Sequence, residues 1–212
     1  MSSDRITLPS SVVAAGVAMI VVGFAFVAAQ TATIVASFTA TTVGLNPGSG
    51  ETLKIDLLRW STAAEAEKLA AAFTEKDAKQ WAQALEGAPT VGYIWASGES
   101  LGYSVRYAQH FPLPGGGERV IVASDRQLGS WGREAWKASG QSATQYPFAV
   151  IELRLNRNGI GEGKASLAAK VAFDPESKAI GLESYASAPV ILKGVKRSGT
   201  AVPRRRSAGA NR

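Results

Sequence analysis

The sequence predicts an α+β fold, mainly β, in which an antiparallel sheet or partial barrel carries a short helical pair packed on it. Three observations predict it. Apolar and polar residues alternate at period two over most of the chain after Gln30, the signature of half-buried strands. One stretch, Thr62 to Glu86, changes to the i, i+3, i+4 spacing of a helix face. Turn signals such as Asn46-Pro47-Gly48, Asn158-Gly159 and Asp174-Pro175 separate the alternating runs.

The first segment is not part of that pattern. After a polar start with Asp4 and Arg5, Val12 to Ala29 run as VVAAGVAMIVVGFAFVAA with no charged side chain. At about 1.5 Å per residue this run spans about 27 Å, which fits either the apolar region of a secretory signal or a short membrane anchor. The small side chains of Val27-Ala28-Ala29 and the polar segment beginning at Gln30 favour scission between Ala29 and Gln30. If the segment is retained, Arg5 before it and the lack of any Lys or Arg after it until Lys54 orient it N-in, C-out. Either way the expected location is exported, periplasmic or secreted, with a single-pass anchor as the alternative.

Thr31 to Thr42 places Ile34, Ala36, Phe38 and Ala40 on one face of a strand. Gly44 to Gly50 turns the chain, and Leu53, Ile55 and Leu57 mark the next strand. Thr62 with Glu65 is a capping box, followed by Ala66, Leu69, Ala70 and Phe73 on one helical stripe. Thr74 with Asp77 opens a second cap, Glu75 and Lys79 add a surface pair, and Trp81, Ala82 and Leu85 repeat the stripe until Gly87 and Pro89 stop it. Val91, Tyr93 and Trp95 then alternate, as do Tyr103, Val105, Tyr107, Gln109 and Phe111, predicting a hairpin with an aromatic face. Val120 to Ala123 is a strand. Asp125 to Tyr146 is a long connection that is either functional or holds a helical turn. Residues 149–195 read as a four-strand meander, with Ala165, Leu167, Ala169, Val171 and Phe173 in one inward row. Beyond Arg197 the composition collapses to a basic tail of disordered character. Residues 1–29, 30–197 and 198–212 are therefore leader, single domain and tail.

Charge and composition exclude several functions. The net +6 belongs to the tail: residues 30–192 hold 15 Lys and Arg against 16 Asp and Glu, whereas residues 193–212 hold seven basic residues and no acid. With no cysteine and only His110 as histidine, disulfides, thiolate chemistry and a two-histidine metal site are excluded within one subunit. Gly159-Ile160-Gly161-Glu162-Gly163 opens no helix and so lacks the dipole of a phosphate loop.

Tyr93, Trp95, Tyr103 and Tyr107 either line a cavity for a ligand or glycan or form core. Arg106 and His110 share one strand face and either bind an anion together or face solvent, with no acid at strand spacing to complete a triad. Arg204, Arg205 and Arg206 are candidates for contact with an anionic surface, or form a solvated tail that needs no partner. Glu152, Glu162 and Glu183 are dispersed among strands. The leading expectation is a non-catalytic periplasmic or envelope domain that binds a small ligand or an envelope component. A secreted hydrolase using dispersed carboxylates is one alternative, and a membrane-tethered structural protein the other. No cofactor and no metal are expected, nucleic acid is not the expected partner, and membrane contact is confined to an uncleaved leader.

The segments ETLKIDLLRWST (51–62), APTVGYIW (88–95), YPFAVIELRLN (146–156) and APVILKGVKR (188–197) resemble those of an uncharacterised group of secreted bacterial proteins. That resemblance covers most of residues 51–197 and implies export; it carries no activity, ligand or catalytic residue. The Arg-rich extension beyond Arg197 is not a feature of the group.

Overall fold

Eight strands hydrogen-bond in a closed antiparallel barrel, so the expected sheet closes fully. The computed structural model describes residues 33–73, 78–97, 99–132, 134–139 and 146–198. The leader with Ala29 and Gln30, the tail with Arg204, Arg205 and Arg206, and the Thr74–Asp77 cap lie outside the described residues.

In chain order the strands are β1 (Ala36–Thr42), β2 (Leu45–Asn46), β3 (Thr52–Leu57), β4 (Gly92–Ala96), β5 (Tyr103–Leu113), β6 (Gly117–Ser124), β7 (Lys137–Ala138), β8 (Ala149–Leu155), β9 (Ile160–Ala165), β10 (Val171–Asp174), β11 (Ala179–Leu182) and β12 (Leu192–Ser198). The barrel runs β1-β12-β9-β8-β6-β5-β4-β3 and returns to β1. Between β3 and β4 lie helices α1 (Ala63–Ala72) and α2 (Ala78–Glu86). The capping box at α1 is present: Glu65 N–H donates to Thr62 Oγ1, and Thr62 N–H donates to the Glu65 carboxylate. Arg59 forks onto that carboxylate at 2.7 and 2.8 Å.

The apolar residues form two cores. Phe38, Leu53, Ile55, Ile94, Tyr103, Val122, Ile151 and Leu153 fill the barrel interior. A second core lies outside the wall, where Tyr107, Ile121, Phe148 and Val150 meet Leu69, Trp81 and Leu85 of the helices and Val171 and Ile180 of the β10-β11 hairpin. Strands β5, β6 and β8 are thus buried on both faces, while the outer face of β12-β1-β3-β4 carries no covering layer among the described residues.

Three expectations need correction. The four-strand meander does not form: β10 and β11 pair only with each other, and β12 crosses back to pair with β9 and β1. The inward row from Ala165 to Phe173 breaks because the chain turns after Ala165 and Phe173 is exposed. The aromatic face of the β4-β5 hairpin also splits. Tyr93 lies opposite Ser104, and Tyr103 lies opposite Ile94, so Tyr93 and Trp95 point outward while Tyr103 points in. A bulge between Val105 and Tyr107 then reverses the parity of β5, placing Ala108 in the barrel and Tyr107 in the outer core. The long connection after Asp125 contains β7, paired with β2, and seats Leu128 and Trp136 on the barrel core.

The Gly159–Gly163 segment is the β8-β9 turn and the start of β9. A Cβ on Gly161 would lie 1.9 Å from the Arg154 carbonyl oxygen, so glycine there lets two strands approach closely.

Candidate functional site

The predicted candidates separate into three environments. Tyr103 and Tyr107 are fully buried, and burial raises both hydroxyls, that of Tyr107 to about 12. Arg106 leaves the strand at the bulge, pairing with Asp125 at 2.7 Å and donating to the Ala88 carbonyl and Thr90 Oγ1 at 2.9 Å each. It therefore does not join His110. His110 lies half-exposed over Trp60, with ring centroids 4.4 Å apart, and an acid does stand beside it: Glu118 Oε2 is 4.0 Å from Nδ1. Glu118 is claimed by Arg197 at 2.6 Å. Adjacent strands supply that acid, which spacing along one strand could not reveal.

Tyr93 and Trp95 remain on the surface, 37% and 44% exposed, with ring centroids 6.0 Å apart. Trp95 has a built seat. A Cβ on Gly102 would fall 2.8 Å from its ring, so only a glycine there lets the indole lie against the backbone. Register extends the platform across the uncovered wall. Lys196 of β12, Thr39 of β1, Lys54 of β3 and Trp95 of β4 form one outward row; Ser198, Ser37, Asp56 and Tyr93 form the next; Lys193, Thr41 and Thr52 form a third. Strand spacing of about 4.8 Å makes the face about 14 Å wide from β12 to β4.

This face offers rings, hydroxyls and charge together. Ser37 donates to Asp56 Oδ1 at 2.6 Å, and Lys54 pairs with Asp56 Oδ2 at 2.7 Å. Lys193 and Lys196 are exposed. The two rings were candidates in the sequence, and these polar partners were not. Their outward alternation was visible, whereas the pairing of β1 with both β3 and β12 was not.

Two other clusters have structural work. At one barrel end a cleft of about 370 Å³ is lined by Glu51, Glu99, Glu134, Asn46 and Trp136. Glu99 accepts a hydrogen bond from Tyr103 O–H, and that phenol oxygen accepts from Gly129 N–H at 2.8 Å, clamping the loop after β6 to the barrel. Beneath the β10-β11 hairpin, fully buried Glu152 accepts from Arg119 at 2.9 and 3.2 Å, from Arg154 at 3.1 Å and from Leu182 N–H at 3.3 Å. Among the described residues no group of three or more His, Asp and Glu side chains converges as a metal site would.

Comparison with protein-family models, with curated proteins and with solved structures found no match to this chain.

Proposed function

We propose that this barrel is a non-catalytic binding domain, acting outside the cytoplasm, that takes a glycan on the wall formed by β12, β1, β3 and β4. The observation that carries the reading is the exposed Tyr93–Trp95 pair with Trp95 seated on Gly102. Sugar rings present apolar C–H faces that stack on flat aromatic rings, and their hydroxyls need donors and acceptors at the rim. Thr39, Thr41 and Ser37 stand at that rim, with Asp56 buried beneath them and held by Ser37 and Lys54. The barrel interior is filled by side chains, so the wall rather than a lumen is the available surface.

Export rests on the apolar run from Val12 to Ala29 and on the resemblance to secreted proteins. The rival hydrolase has less support. Glu152 is locked by two arginines, Glu183 pairs with Lys170 at 3.4 Å, and Glu99 holds Tyr103.

Affinity electrophoresis through gels containing soluble polysaccharides tests the reading. Trp95→Ala is expected to weaken retention at least tenfold, about 1.4 kcal/mol, and a melting temperature measured alongside separates loss of the sugar contact from loss of the packing on Gly102. Retention that is identical in wild type, Trp95→Ala and Tyr93→Ala across the panel would remove the proposal.

A further inference from the structure

We infer that the glycan is an acidic one, a polysaccharide carrying carboxylate or sulfate groups; this inference rests on the glycan reading of the same wall. The argument is one of charge placement. The outward positions of β12, β1, β3 and β4 carry Lys193, Lys196 and Lys54 against a single acid, Asp56. Lys54 is neutralised by Asp56 at 2.7 Å. Lys193 and Lys196 have no ion-pair partner among the described residues, although the domain around them is close to neutral. The nearest outward acid beyond β12 is Glu162 on β9, the strand that pairs with it on the far side from the rings.

The rows place these charges usefully. A sugar stacked on Trp95 has Lys54 one strand away, about 5 Å, and Lys196 three strands away, about 14 Å, along the same row. An oligosaccharide laid from β4 to β12 thus meets rings at one end, threonine hydroxyls in the middle and the Lys193 and Lys196 ammonium groups at the other. A uronic acid suits that sequence, because its ring keeps an apolar face while its carboxylate lies at the rim. Three lysines, one of them already paired with Asp56, are fewer cations than a phosphate backbone recruits, which argues against a nucleic acid.

The test uses the full chain and matched probes. Polygalacturonate is compared with its fully methyl-esterified form, which keeps the rings and removes the charge, with dextran sulfate and dextran as the sulfate arm, and with oligothymidylate. Polygalacturonate or dextran sulfate is expected to bind at least tenfold more tightly than its neutral counterpart, whichever does so naming the anion. The preference should shrink as salt is raised and largely vanish in the Lys193→Gln/Lys196→Gln double variant. Arg204→Gln/Arg205→Gln/Arg206→Gln should keep it. Equal binding of charged and neutral forms, with Trp95→Ala still weakening both, overturns the acidic inference and leaves the glycan reading standing. No loss in Trp95→Ala for any probe overturns both. A preference abolished by the tail variant but kept by the double lysine variant, or tightest binding to oligothymidylate, overturns the inference as well.

Discussion

Glu99 sits where a carboxylate is poorly solvated. Burial raises its pKa above the ordinary carboxylate range, and the hydrogen bond from Tyr103 with the nearby amides of Gly132 and Trp131 only partly offsets this. Glu65 is the opposite case: the Arg59 fork and the Thr62 N–H lower it to about 2. The signs of the two stability terms differ accordingly. The folded state binds the Glu99 proton more strongly than the unfolded chain does, so its contribution is fullest in acid and is lost as pH rises through its folded pKa. Glu65 contributes above the unfolded value near about 4.3 and loses that contribution as pH falls toward about 2. Thermal unfolding followed from pH 2 to 8 checks both. Glu99→Gln is expected to equal or exceed wild type at neutral pH and to lose that advantage in acid. Glu65→Gln is expected to be weaker at neutral pH and to converge with wild type near pH 2. A Glu99→Gln protein that is least favoured at pH 8 would contradict the buried-carboxylate account.

The helices show which elements were legible and why. Capping at Thr62 and the stripe through Leu69, Trp81 and Leu85 depend on neighbours within a few residues, and the structure has both helices there. The longer strands are legible as strands for the same local reason, whereas β2 and β7, two residues each, are not. Strand partners are not legible, because the β5 bulge at Arg106 and the crossing of β12 to β1 depend on residues far away in sequence. That is why the sequence pattern groups Tyr93 and Trp95 with Tyr103 and Tyr107 although the wall separates them, and why it does not place Lys193 and Lys196 on the same wall as the rings. Trp81 shows what a well-read element contributes. It is fully buried, meets Phe73 and Phe148 edge-on at centroid distances of 5.5 and 4.6 Å, and donates Nε1–H to the Leu69 carbonyl at 2.9 Å, tying α2 to α1. Trp81→Ala is expected to cost about 3–5 kcal/mol in urea unfolding. Trp81→Phe, which keeps most of the apolar contact and leaves the Leu69 carbonyl unsatisfied, should cost about 1–3 kcal/mol. Equal losses for the two would show that the hydrogen bond, not the packing, holds the helix pair.

At the scale of the whole molecule the β10-β11 hairpin is held on a finished barrel by a buried charge cluster. Arg119 on β6 reaches Glu152 on β8 and Asp174 on β10, the latter at 3.3 Å, and Leu182 N–H on β11 completes the Glu152 acceptor set. Glycine at residue 181 leaves room for the arginine under β11: a Cβ there would stand 2.3 Å from its Nη2, so the guanidinium would have to shift. Such a pair fixes position more than it adds stability, since removing two charges from water offsets much of their attraction. The expected result is therefore asymmetric. Glu152→Ala leaves Arg119 short of its main partner in a site where it is largely buried, and should cost about 3–5 kcal/mol. Arg119→Met with Glu152→Leu fills the same space with apolar groups. It should lie within about 1 kcal/mol of wild type or above it, although Leu182 N–H loses its acceptor. Denaturant unfolding of wild type, Arg119→Met, Glu152→Leu and the double variant forms a closed cycle whose coupling measures the effect directly. A double variant as unstable as Glu152→Ala would mean that the cluster contributes net stability, and that the hairpin depends on charge rather than on the apolar contacts of Val171 and Ile180 beneath it.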